Sequence, residues 1–258
     1  LTGKYFHNLK VDQVHVDLSV VNTTKSSGGC GDNNGCMCVD DDKVNNFTFA
    51  TDLAKVGYKV GMFGKYLNSW SGKIQPGFSR WFANGGGAYF NTSFNDDRSP
   101  TGHFVASPSF YAGYQTSILG NVSINWIKEI VTNNGTAANG YKHPPFFAYV
   151  GVHAPHLPST PAPWYTDNTF NDAGLSSHYM TPNYNYSALD HHWCVAQQPP
   201  ITKEQAVGID SLFRDRWRTL LSVDDMVEGL INAITMLGEL QSTFFMFTSV
   251  RRLALISC

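Results

Sequence analysis

Apolar positions along this chain switch between helical and extended spacing, and the switches mark out its elements. Phe47 to Val56 carries helical spacing, and Tyr58 to Phe63 is a short apolar run ending at Gly64-Lys65, so the pattern predicts helix, strand and loop in succession. Residues 69 to 113 mix Gly, Ser, Asn and aromatics without a sustained period. That predicts irregular loops, with a hairpin as the one regular element they could hold. Tyr114 to Val131 places Ile118, Val122, Trp126, Ile127 and Ile130 close to a 3.6-residue repeat and stops at Asn133-Asn134-Gly135, the signature of a helix. Pro144-Pro145 then introduces the unbroken apolar run Phe146 to Val152, which predicts a strand buried on both faces. Residues 157 to 200 are polar and studded with proline, a loop length that is usually functional or disordered. Thr202 to Leu237 is helical by pattern, as one helix or two, and Thr243 to Thr248 reads as a last strand. No internal repeat is visible.

Helices alternating with apolar strands imply an α/β fold with a largely parallel central sheet and helices on both faces. Ligands of such sheets bind beyond the carboxyl ends of the strands. Three segments leave strands here, at Gly64-Lys65, at His153 to His156 and from Ser249 onward. Lys65 and His156 are therefore expected on one rim of the sheet.

With 258 residues and 42% apolar content, the chain can bury the core of one large domain, or of a domain with an extension. A formal net charge of -2 with 15% charged residues offers no basic stripe for a phosphate backbone, so no nucleic-acid partner is expected. The longest apolar stretches, Phe146 to Val152 and Phe244 to Phe247, fall far short of the roughly 20 residues of a membrane span. The chain starts at Leu1 without an initiator Met, which is the expectation for a fragment or a processed product. Asn-x-Ser/Thr sequons at Asn22, Asn46, Asn91, Asn121, Asn134 and Asn185 favour a glycosylated protein of the secretory pathway, lysosomal or extracellular. Cys30, Cys36 and Cys38 lie in a Gly/Asn/Asp-rich loop whose spacing is no standard zinc pattern, so a local disulfide in an oxidising compartment is the expectation there.

Two segments carry candidate chemistry. Gly57 to Asn68 invites comparison with a phosphate-binding P-loop, but no Gly sits five positions before Gly64 and no Ser or Thr follows Lys65, so it is not one. A Lys just past a strand is by itself a solvated cation or an anion clamp. His153-Ala154-Pro155-His156 sets two imidazoles three residues apart in a proline-stiffened loop, able to ligate a metal, move a proton or cap polar groups. No carboxylate stands close by in sequence to complete a metal site. Asp224 and Asp225 look like a metal pair but fall within an amphipathic helical pattern, where surface roles are expected.

At these residues the sequence resembles the sulfatase family, and within it most closely the N-acetylglucosamine-6-sulfatases. Leu1-Thr2-Gly3-Lys4-Tyr5 looks like the tail of the signature Cys-x-Pro-Ser-Arg-x-x-x-Leu-Thr-Gly, and Gly57-Tyr58 through Gly64-Lys65-Tyr66-Leu67-Asn68 resembles the second signature. Pro145-Phe146-Phe147 through Ala154-Pro155-His156 matches the strand and loop bearing a substrate histidine. His192-Trp193 and the stretch Arg216 to Asp225 follow the same branch, so the resemblance reaches nearly to Ser249.

The resemblance implies the alkaline-phosphatase-like sulfatase fold, incomplete in this chain, with residues 1–249 as a partial catalytic domain and 250–258 as a divergent tail. It implies a sulfuric ester hydrolase that removes 6-O-sulfate from N-acetylglucosamine units of sulfated glycans. The nucleophile would be a formylglycine made from a Cys or Ser upstream of Leu1 by a formylglycine-generating enzyme. Calcium would be held by ligands mostly outside this chain. Lys65 would bind sulfate and formylglycine oxygens, and His156 would bind sulfate and help protonate the leaving alcohol. Asn68, His153 and His192 would line the substrate site. Two departures accompany these matches: Leu67 and Asn68 stand where many sulfatases place a His, and Val250-Arg251 follows Ser249 where the family continues with Asp. The chain by itself is therefore expected to lack turnover. The alternatives are a phosphatase or phosphodiesterase of the related superfamily, and a non-catalytic secreted glycoprotein of the same fold.

Overall fold

The structure, a computed structural model, describes residues 47–66, 74–98, 109–133, 140, 142–166, 184–186 and 189–249. Among the described residues five strands form one sheet: β1 (Lys59–Lys65), β2 (Arg80–Asn84), β3 (Phe90–Asp96), β4 (Ser109–Tyr114) and β5 (Phe146–Gly151), in the order β4-β3-β2-β1-β5. The helices are α1 (Phe49–Lys55), α2 (Gln115–Asn133), the short α3 (Trp193–Ala196) and the long α4 (Lys203–Met236). The chain forms two compact units, Leu1–Ala154 with Val223–Gly238, and Pro155–Ser222 with Glu239–Cys258.

The first unit holds the sheet. β1 pairs in parallel with both β2 and β5, while β3 runs antiparallel to β2 and β4 antiparallel to β3. The sheet is therefore mixed, with its parallel strands at one side. The antiparallel strands arise from residues 69 to 113, where the sequence pattern predicts mainly loops. Their segments are short and aromatic-rich, and they gain their order from cross-strand packing: Phe82 stacks on Phe94 at 4.3 Å, and Tyr111 closes on both rings.

Alternation along β1 and β5 assigns a helix to each face. Phe63 and Phe146 meet Trp126 of α2, at 5.4 and 6.5 Å between ring centroids. Phe147 points the opposite way and meets Phe49 of α1 at 5.1 Å. On that second face Met62, Trp81 and Ala83 form a cluster with Tyr66, Ile74 and Phe78. The largest fully buried side chains, Trp81, Phe63, Phe82, Phe94, Met62 and Leu119, all belong to this two-sided core. Each contributes about 1.5–3 kcal/mol relative to exposure. α1 starts at Thr48, whose hydroxyl accepts from Thr51 N–H while Thr51 Oγ1 accepts from Thr48 N–H, a reciprocal cap. α2 meets the last part of α4 across small residues, with Met226 against Gly120 and Ile124 against Gly229.

Two expected strands differ from the pattern. β5 stands at the sheet edge among the described residues, and Phe147 and Tyr149 are 37% and 39% exposed, so it is not buried on both faces. Residues 243–249 form no strand, and Phe244, Met246 and Phe247 are exposed. An apolar run acquires strand geometry only where a neighbouring strand accepts its backbone hydrogen bonds, and none among the described residues does. The stretch Thr202 to Leu237 forms one helix, α4, not two. Among the described residues no helix is long and apolar enough to cross a membrane.

Candidate anion-binding rim at the ends of the parallel strands

Because β1, β2 and β5 are parallel, their carboxyl ends lie at the same end of the sheet. Lys65 closes β1, its register partner Asn84 closes β2, and Gly151 closes β5 two residues before His153. The close approach of β1 and β5 is made by Gly64, which has φ +94; a Cβ there would fall 2.1 Å from Gly151 O. Only glycine meets both demands. Tyr66 N–H donates to Asn84 O at 2.9 Å, carrying the β1–β2 pairing past the strand ends.

Beyond β2 the turn Gly85-Gly86-Gly87 folds back under this rim. Gly86 has φ +132, and a Cβ on it would lie 3.0 Å from Lys65 Nζ, so the bare backbone gives the ammonium its place against the turn. Gly86 N–H donates to Asn84 Oδ1 at 3.3 Å. Tyr89 follows, 3% exposed, and its ring stands edge-on to His153 at 4.9 Å. Tyr89 O accepts from Gln115 N–H at 2.8 Å, which ties the turn to the start of α2. The first unit thus brings a cation, an imidazole, a buried amide and a phenol to one rim.

His156 and His192 belong to the second unit. His156 is exposed, and its Nδ1 lies 2.8 Å from Leu157 O. A carbonyl accepts, so this nitrogen carries the proton in that contact. The loop after it is held by Ser159, whose N–H donates to His156 O at 2.8 Å and whose hydroxyl donates to Pro155 O at 3.1 Å. His192 caps α3: its Nδ1 accepts from Cys194 N–H and lies 3.2 Å from Cys194 Sγ. Asn68 lies outside the described residues, as do Cys30, Cys36, Cys38, Cys258 and the sequon residues Asn22, Asn46 and Asn134. Asn91, Asn121 and Asn185 are exposed, and Asn185 bonds both polar groups of the Ile201 backbone, through Oδ1 at 2.7 Å and Nδ2 at 3.2 Å. Asp224 and Asp225 are exposed on α4. Among the described residues no group of three or more His, Cys, Asp or Glu could hold a metal ion.

Sequence reasoning singled out Lys65 and His153 but missed Asn84 and Tyr89. Asn84 ends a five-residue strand too short to stand out, and Tyr89 follows it after a run of glycines.

The sulfatase family model matches residues 1–249. The chain is 31% identical to the N-acetylglucosamine-6-sulfatase of Bos taurus and 30% identical to that of Homo sapiens, in each case over 96% of its length. It is 31% identical to an extracellular sulfatase homologue of Drosophila melanogaster over 78% of its length and 17% of that protein. The chain spans about 40% of the length of the N-acetylglucosamine-6-sulfatases it matches. Among solved structures, a Bacteroides fragilis protein assigned as a sulfatase aligns with TM-score 0.55 at 15% identity, over 76% of this chain and 42% of that one. A protein solved in complex with its substrate D-glucosamine-2-N,6-O-disulfate aligns with TM-score 0.51 at 20% identity, over 78% and 48%. These likenesses show the fold.

Proposed function

Because the chain belongs to the sulfatase family, we propose that it supplies part of the site of a sulfuric ester hydrolase that removes 6-O-sulfate from N-acetylglucosamine units of sulfated glycans. The observation that carries this reading is Lys65 at the carboxyl rim of parallel strands in a chain matched along residues 1–249. The choice of sugar is supported by the N-acetylglucosamine-6-sulfatases among its relatives and by the disulfated glucosamine bound to a structural neighbour.

Cleaving a sulfate ester builds negative charge on the bridging oxygen, and a positioned cation with a proton donor lowers that barrier. Lys65 draws in the sulfate oxygens. His156, whose Nδ1 is bound to Leu157 O, helps protonate the leaving alcohol by the same resemblance. His153, Asn68 and His192 contact the sugar. Sulfatases generally use a formylglycine nucleophile and calcium. No cysteine of the chain is followed by x-Pro-Ser-Arg, and the described residues offer no metal cluster, so neither group is placed on them. Secretion or lysosomal delivery fits the sequons and the extracellular relatives.

The test is calorimetric titration of the chain with N-acetylglucosamine-6-sulfate and with N-acetylglucosamine. The sulfated sugar is expected to bind more tightly, and Lys65→Met to remove about tenfold or more of that preference, the worth of one hydrogen bond to a charged group. Equal binding of both sugars would sink the reading. Release of free sulfate is expected to stay at background, since Lys and His provide no nucleophile of the required kind.

A further inference from the structure

Asn84 is 5% exposed, and its Nδ2 has no hydrogen-bond partner among the described residues. The orientation of the amide is set by its other end: Oδ1 accepts from Gly86 N–H, and a flipped amide would put two donors face to face. A buried donor left unpaired costs about 1–3 kcal/mol, so Asn84 Nδ2 calls for an acceptor from beyond the described residues.

Three observations place that acceptor. Asn84 is the register partner of Lys65 on the adjacent parallel strand, so the two side chains leave the sheet as neighbours. The Gly86 backbone that fixes Asn84 also receives Lys65 Nζ, at 3.0 Å from the point a Cβ would occupy. A second amide nitrogen, Gln115 Nε2, converges with Asn84 Nδ2 on Gly87, each 3.4 Å from the place of its absent Cβ. Gln115 is 3% exposed, and its Nε2 donates over a long 3.5 Å to Thr92 Oγ1. The rim therefore holds two buried amide donors beneath a turn of three glycines, with the Thr92 methyl packed beside them.

We propose that Asn84 is a second anion-binding residue of this rim, its Nδ2 donating to an oxygen of the tetrahedral sulfate group that Lys65 attracts. The proposal rests on the reading of Lys65 given above. Its geometry explains why Asn, and not an apolar residue, ends a strand buried at all five positions: Oδ1 shapes the turn that seats Lys65, and Nδ2 meets the ligand.

The test titrates inorganic sulfate, against chloride as a control, into the full chain and into Lys65→Met, Asn84→Asp and Asn84→Leu. Asn84→Asp keeps an oxygen for Gly86 N–H and replaces the donor with a negative oxygen. Asn84→Leu removes both groups. Melting curves establish that each variant is folded, and Asn84→Leu serves if Asn84→Asp is not. Sulfate affinity is expected to fall about tenfold in Asn84→Leu and further in Asn84→Asp, the worth of one hydrogen bond to a charged ligand and of added charge repulsion. If Lys65→Met loses sulfate binding and folded Asn84 variants keep it, Asn84 has only a structural role and the proposal is overturned alone. Unchanged binding in Lys65→Met, or none in the parent chain, overturns the reading of Lys65 and this proposal with it.

Discussion

A buried charge cluster sits at the start of β2. Arg80 NH1 donates to Asp96 Oδ1 at 2.6 Å, to Trp81 O at 2.9 Å and to Asp97, and Tyr111 OH donates to Asp96 Oδ2. Burial pushes the Asp96 carboxyl up, but bonds from Tyr111, Arg98 N–H and Arg80, with the Arg80 charge, outweigh it and hold its pKa below the ordinary 3.8. Its contribution to stability is therefore full above about pH 4 and is lost as pH falls through the lowered value. Tyr111 is pushed up to about 12 by burial and then by the bond and charge of Asp96, with the Arg80 charge opposing. Its contribution is full below about pH 10, where an unfolded tyrosine titrates, and is lost as pH rises toward 12. Stability should fall at both ends, and Tyr111→Phe should cost about 1.5–3 kcal/mol at neutral pH and flatten the alkaline fall. Thermal midpoints measured against pH decide it: parallel alkaline curves for the two proteins would rule the tyrosine out. None of this was legible in the sequence, because Arg80 and Asp96 are brought together only by a strand pairing in a stretch that reads as loop. Lys65 was legible, because an apolar run ends on it.

At the scale of elements, one substitution has opposite signs at two glycines. Gly64→Ala adds a Cβ 2.1 Å from Gly151 O at φ +94, and both the clash and the backbone strain oppose it. The expected loss is about 3 kcal/mol or more. Gly208→Ala lies in the exposed interior of α4 with no atom within 4 Å of the added carbon, and should stabilise by about 1 kcal/mol. Urea unfolding of both variants checks the pair, and equal shifts would mean that β1 and β5 do not approach as described. Elements with a helical period or an unbroken apolar run were readable: α1, β1, α2, β5 and α4 fall within a few residues of their predicted places. The mixed part of the sheet was not readable, since β3 and β4 owe their order to partners on other strands. Thr243 to Thr248 failed in the opposite direction, being apolar enough for a strand but without one among the described residues to pair with.

For the molecule as a whole, membership in the sulfatase family fixes the kind of fold, while the contacts decide how it is assembled. Parallel strands must be drawn together from far along the chain: Lys59 of β1 is in register with Phe146 of β5, whereas β2, β3 and β4 pair with their sequence neighbours. Closing a loop of that length costs entropy before any contact compensates for it. The aromatic β2–β3–β4 meander should therefore form early in folding, and β5 should dock late. Mutations such as Phe94→Leu should slow folding, while Ala148→Gly in β5 should mainly speed unfolding. Stopped-flow chevrons separate the two, and a folding arm slowed as much by Ala148→Gly as by Phe94→Leu would contradict that order. Until β5 docks, β1 offers an open backbone edge to any extended segment that reaches it first. The glycine at 64 that lets the two strands meet so closely is then also a filter on assembly: a strand can settle against that stretch only if it, like β5 at Gly151, brings a carbonyl where no side chain stands in the way.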